Sequence, residues 1–487
     1  MVVTMRLRTI AVLVLLTVAR HAEAQLPGIP GSAPRQSTSG DSRQAPSSGS
    51  QTQGTNPFLG SVPVGTPTNE SIPLSVKDAV DRALKNNLGL LLQEESASSA
   101  RGARWRALAE LLPDLSASLS ERRQVLNLEA FGFPAKPSIV GPFNVFDARV
   151  FVSQPIVDVG AMNGARAANL NLRAEQYGIK SARDLVVLVA VNLYLETIAG
   201  ASRVDMTRAQ QETADALFKQ AQDLKANGVV AGIDVLRAQV QLQTQRQRLI
   251  LAENDYEKLK LQLARAVGLP VGQPFTLTDK IPYAPMPALT IEDALKRALE
   301  TRPDYLGARS RFEAAQASRR AANSALLPSI RFDADFGAIG QTFDAAHSTY
   351  SFGASVHVPV FDGGRTTARR IETEATMKQR EAELADFKNR VEYEVRAAFL
   401  DVRAAEQQLQ AAQTNVQLAA DELQQARDRF GAGVANNIEV TQAQEAVAAA
   451  SESYIAALYA HNLAKASLAR SLGIAESAVT GYLGGLK

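Results

Sequence analysis

Between Leu384 and Phe430 the apolar positions fall mostly three and four residues apart. They are Leu384, Val391, Val395, Ala398, Val402, Ala405, Leu409, Ala412, Val416, Ala419, Leu423, Ala426 and Phe430. This spacing keeps one seam of a helix apolar over many turns, which is the pattern of a coiled coil. Alanine recurs along the seam and lets neighbouring backbones approach closely. The corresponding stretch of the first half carries Thr197, Thr207 and Gln211 at equivalent sites and predicts a long helix without a clean seam.

A second pattern has period two. In "SIRFDADFGA" Ile330, Phe332, Ala334, Phe336 and Ala338 alternate with Ser329, Arg331, Asp333 and Asp335. In "TYSFGASVHV" Tyr350, Phe352, Ala354, Val356 and Val358 alternate with Ser351, Gly353, Ser355 and His357. "DLSASLSER" from Asp114 and, less cleanly, "DARVFVSQP" from Asp147 read the same way. Each predicts a strand of about ten residues, long enough to cross a bilayer when tilted. The chain offers these apolar faces no other apolar surface to cover. The longest apolar run beyond the N-terminal segment, "LVVLVAV" from Leu185, is too short for a spanning helix.

The patterns occur twice. "LSVKDAVDRALKNN" from Leu74 aligns with "LTIEDALKRALETR" from Leu289, and "LLPDL" with "LLPSI", at an offset of about 215 residues. "ANGVVAGIDVLRAQ" from Ala226 and "GAGVANNIEVTQAQ" from Gly431 are glycine-bearing breaks between long helical patterns, at an offset of about 205. A repeat this long predicts a pseudo-symmetric architecture. Each half reads as a helix of about 36 residues (Val76–Leu112, Ile291–Leu327) stopped by proline, two strands, and a helix of about 65 residues (Ala161–Ala226, Arg365–Phe430). The glycine break and a last helix follow. At 1.5 Å per residue the long helices span about 100 Å.

The first residues, "MVVTMRLRTIAVLVLLTVARHAEAQ", join a basic start to a short apolar run and an Ala22-Glu23-Ala24 cleavage site. They predict an export signal over 1–24. Residues 25–72, rich in Ser, Gly, Pro and Gln, predict a disordered extension. The repeats then occupy 73–281 and 282–475, with a tail at 476–487. Among 487 residues, 52 are Lys or Arg and 50 are Asp or Glu, and loss of the signal leaves a net charge of about zero. Such a balance sets nucleic-acid binding aside. The absence of cysteine excludes disulfides and acylation at a mature N-terminal thiol. Neither the four histidines nor "GAG" at Gly431 has ligand or phosphate-loop spacing, so no catalytic, cofactor or metal site is expected.

Strands that cross hydrocarbon must close into a barrel, and four cannot. A periplasmic coiled-coil scaffold or tether without a pore accounts for the helices but leaves the strands unexplained.

The order and duplication of "DA(V/L)xRAL" at Asp78 and Asp293, the "LLP" stops, "QPIVDVG", "VPVFDGGR" and the glycine breaks resemble the TolC-like outer membrane efflux proteins. The resemblance covers nearly everything from Pro73 to Gly473. It implies a mixed fold of long antiparallel helical hairpins in a coiled-coil barrel and a transmembrane β-barrel. Twelve strands would come from a homotrimer. It implies a channel in the outer membrane reaching into the periplasm, surrounded by outer membrane lipid. The channel would serve efflux or type I secretion with a periplasmic adaptor and an inner-membrane RND or ABC-type pump. The two breaks become periplasmic tips contacting the adaptor through Gly228, Val229, Asp234, Gly433, Val434 and Asn437. Glu439 and Gln442 fall at the pore gate, and Arg331, Asp333 and Asp335 face the barrel lumen.

Overall fold

The computed structural model describes residues 56–134, 136–279, 289–432, 434 and 437–482. The signal, the extension up to residue 55 and Gly433 lie outside them.

Helix α1 (Val76–Asn86) starts at a capping box in which Ser75 and Asp78 satisfy each other's backbone N–H groups. The chain then turns at Asn87 into α2 (Leu88–Ala109). The single helix expected over Val76–Leu112 is therefore two. Asn87 ends one helix with extended backbone and caps the next, its Oδ1 accepting from the Leu90 N–H. Helices α3 (Val159–Ala226) and α4 (Gly232–Val267) complete the first half, and the second half breaks at the matching place, between α5 (Ile291–Thr301) and α6 (Pro303–Ser324). Here Pro303 pushes Arg302 out of the helical region. Helices α7 (Arg365–Gly431), α8 (Asn437–Ser471) and α9 (Ala475–Tyr482) finish the described chain.

Helix α3 is the core helix, packed against α2, α4, α6 and α8. By length and composition one window of it could cross a bilayer, but 61% of that window is buried inside the protein. On α7 the expected seam faces inward, with Val391, Val395, Val402, Leu409 and Phe430 buried. At mid-length a parallel pair of short strands, β1 (Ile72–Leu74) and β4 (Phe275–Leu277), ties the start of the first repeat to its end. The Tyr194 hydroxyl sits there, 2.9 Å from the Leu74 carbonyl and 2.8 Å from Asp279.

Two expectations at the repeat margins need correction. Asn56–Ile72 is not a loose extension but a strap. Phe58 packs on the core, and its carbonyl accepts from Asn87 Nδ2 at 2.7 Å, because the α1–α2 break exposes both an apolar patch and a donor. The tail from 476 begins inside α9, where Glu476 pairs with Arg183.

The long strands β2 (Asp114–Asn127), β3 (Ile139–Val157), β5 (Ser329–Gly340) and β6 (His347–His357) form one antiparallel sheet in the order β2-β3-β5-β6. β2 and β3 run further than the ten residues expected. Registers carry residues across the sheet in rows. Leu115, Val152, Ala334 and Phe352 make one row, and Ala117, Val150, Phe336 and Tyr350 the next on that face. The apolar alternation of each strand is thus shared by all four, and the face it forms is largely exposed.

Candidate functional site

The opposite face of the sheet is polar. Arg331, Asp333 and Asp335 lie on it together, as their alternation requires. Asp333 accepts from Ser153 Oγ at 2.7 Å, and Asp335 accepts from Ser351 and, at 3.3 Å, from Arg149. Arg149 also grips Asp147 through two nitrogens at 2.6 and 2.7 Å. Sequence reading missed Asp147 and Arg149 because Phe151 interrupts the polar alternation of that strand. The Arg149 guanidinium lies 5.3 Å from the Phe151 ring centre, which gives that ring a cationic cover on an otherwise polar face.

At the other end of the helices the two reversals are built alike. Asn227 ends α3 with its N–H bonded to Asp223 O, and Val229 N–H reaches back to Leu224 O at 2.9 Å. At the second reversal Ala432 and Val434 bond Asp428 and Arg429 in the same pattern, the latter at 3.0 Å. Gly228 has φ +74°, a left-handed conformation that glycine adopts without a Cβ penalty. Val229 and Val434 project into solvent. Beneath them Leu217, Ala426, Phe430, Val440 and Ala443 form a small core that joins the reversals.

The two acids differ in their partners. Asp234, in the first turn of α4, pairs with Arg237 of its own turn at 3.3 Å. Glu439, in the first turn of α8, reaches across the reversal to Arg429, also at 3.3 Å. Asn437 begins α8. Gln442 lies in a groove of about 380 Å³ with Ile233, Leu236, Val240 and Ile438, between α4 and α8. Among the described residues no group of three or more His or carboxylate side chains could hold a metal ion.

The family model for outer membrane efflux proteins matches residues 79–269 and again 294–474. Over 316 residues the chain is 26% identical to the pyoverdine export outer membrane protein OpmQ of Pseudomonas putida, covering 63% of this chain and 65% of that protein, a little under two thirds. Over 421 residues it is 22% identical to the alkaline protease secretion protein AprF of Pseudomonas aeruginosa, covering 84% and 86%. Among solved structures, VceC of Vibrio cholerae superposes with a TM-score of 0.69 at 18% identity, over 82% of this chain and 96% of that one. The Campylobacter jejuni CmeC channel does so with 0.69 at 17%, over 93% and 98%.

Proposed function

The chain belongs to the outer membrane efflux protein family, whose members are outer membrane transport proteins and not enzymes, and we propose that three copies assemble into one continuous export duct. The observation that carries this reading is the open sheet. β2 and β6 are its two edges, and among the described residues each presents a row of backbone N–H and C=O groups without a strand beside it. In hydrocarbon these groups must be paired. The edges run antiparallel to each other, so β6 of one copy can join β2 of the next, and three copies close twelve strands. The apolar rows then face lipid, and the polar face with Arg149, Asp333 and Asp335 lines the lumen.

The helix layer supports the same arrangement. Its edge helices carry exposed apolar side chains at intervals, Tyr393, Leu400 and Leu418 on α7 and Val240, Ile250 and Leu261 on α4. Neighbouring copies would cover them. In the assembled duct Gly228, Val229, Asp234, Gly433, Val434 and Asn437 present six similar tips to a periplasmic adaptor. The apolar groove beside Gln442 suits the tip of an adaptor hairpin, and an inner-membrane pump would energise transport. Glu439 and Gln442 belong at the pore entrance.

Mass measurement of the full chain in detergent tests the assembly. A trimer of about three chain masses is expected. A folded, stable monomer would overturn the shared barrel.

A further inference from the structure

Ser99 of α2, Asn171 of α3, Ser318 of α6 and Thr373 of α7 line one cavity of about 640 Å³, and a second of about 530 Å³ lies between α6 and α7 beside Arg319, Asn323 and Arg370. Near the strand ends Leu112, Met162 and Leu327 are all exposed, Met162 half a turn round α3 from Asn171. The linker into α7 adds Val360 and Phe361, 93% and 89% exposed.

Directly beyond this apolar rim comes a layer of arginines. Arg104 and Trp105 stand on α2, Arg166 on α3, Arg319 and Arg320 on α6, and Arg370 on α7. At 1.5 Å per residue all lie within about 6–11 Å of the membrane-side helix ends. Arg319 and Arg320 occupy the repeat positions of Arg104 and Trp105, so both halves contribute. The groove between α6 and α7 holds Arg319, Asn323, Arg370 and Ile371. Glu374 is the acid there, and it pairs with Arg319. Trp105, the only tryptophan, is 60% exposed amid this layer.

Apolar side chains, then tryptophan and arginine at one level, is the chemistry met on leaving hydrocarbon for phosphate headgroups. We infer that this arginine layer is a binding surface for the phosphates of anionic phospholipids in the periplasmic leaflet, with Trp105 seated at the headgroup level. Guanidinium groups suit the occupant because they hold phosphate oxygens through paired N–H donors. The inference rests on the barrel reading of the sheet.

The single tryptophan provides the test. The full chain is reconstituted in phosphatidylcholine vesicles containing brominated phosphatidylglycerol or, at equal mole fraction, brominated phosphatidylcholine, and conductance is recorded from the same preparation. Phosphatidylglycerol should quench Trp105 fluorescence several-fold more strongly. Arg104→Gln with Arg320→Gln should reduce that preference by about fivefold or more while conductance persists. Sodium phosphate should weaken the preference no more than sodium chloride of equal ionic strength. Equal quenching by the two lipids with conductance intact overturns the lipid surface alone, as does a preference that the double variant leaves unchanged. Selective loss in phosphate would assign the arginines to free anions and overturn it too. Absence of both conductance and quenching would remove the barrel reading, and the lipid surface with it.

Discussion

Arg429 and Glu439 face each other across the second reversal, guanidinium to carboxylate at 3.3 Å, while the matching acid of the first reversal, Asp234, is held by Arg237 within its own turn. The pair joins the last turn of α7 to the first turn of α8. Three copies of Glu439 meeting near an axis would therefore each bring a counter-charge, which blunts the mutual repulsion of bare carboxylates.

Block of the pore by divalent cations reads this balance. In single-channel recordings with cations added on the periplasmic side, Glu439→Gln should weaken block. Arg429→Gln should strengthen it by uncovering the acid, and Asp234→Gln should leave it nearly unchanged. Equal effects of the two acid substitutions, or none from either, would place the constriction elsewhere.

Ala334 lies in an apolar row between Val152 and Phe352, and Asp335 on the polar face beside Arg149. Ala334→Arg should cost about 2–4 kcal/mol if the row crosses the bilayer midplane. Asp335→Asn keeps a polar side chain among polar neighbours and should cost about 1 kcal/mol through the weakened Arg149 pair. Unfolding by denaturant in lipid vesicles gives both values. Similar costs at the two sites would contradict the lipid-lumen assignment.

A Cβ on Gly89 would stand 2.5 Å from the ring of Phe58. Gly89→Ala should therefore displace the strap and cost about 1–3 kcal/mol. In a Phe58→Ala background the same change should become neutral or stabilise by about 0.5–1 kcal/mol, because the helix then gains a better helix former. A double-mutant cycle by equilibrium unfolding measures the coupling, and additivity would show that the strap does not press on this helix.

Burial pushes the ammonium of Lys465 down from 10.5 to about 8, with the charge of Glu406 opposing the shift. Between those two values the unfolded chain holds a proton that the folded chain has released, so stability should rise with pH across that window. Below pH 8 both states are protonated and the penalty is fully felt. Lys465→Met should flatten the rise in melting temperature between pH 8 and 10.5. A slope unchanged by the substitution would assign the pH dependence to other groups.

The sequence showed most clearly what depends on periodicity. The α7 seam from Val391 to Phe430 and the apolar faces of β5 and β6 follow from spacing alone, since one buried face forces a fixed repeat. Helix breaks were half legible. Pro303 announces the turn at Arg302, whereas Asn87 at the equivalent site looks like any polar helix residue until Phe58 supplies its hydrogen-bond acceptor. Partners set by three-dimensional closure left no trace. Arg429 stands ten residues from Glu439 around a reversal, and Arg149 is far from Asp335 along the chain. Their pairings depend on the register of the turn and of the sheet, which local pattern does not encode.

The open edges of the sheet have a consequence for how the molecule is made. A lone subunit carries two rows of backbone donors and acceptors that water can satisfy but lipid cannot. In the proposed three-copy barrel, entry into the bilayer would therefore be barred to the single chain and become a step whose rate rises more steeply than the first power of subunit concentration. Until edges meet, the same rows can adopt any exposed strand nearby. Dilution should then favour stranded, aggregation-prone subunits over inserted ones, and the supply of new chains would set how many ducts a cell completes.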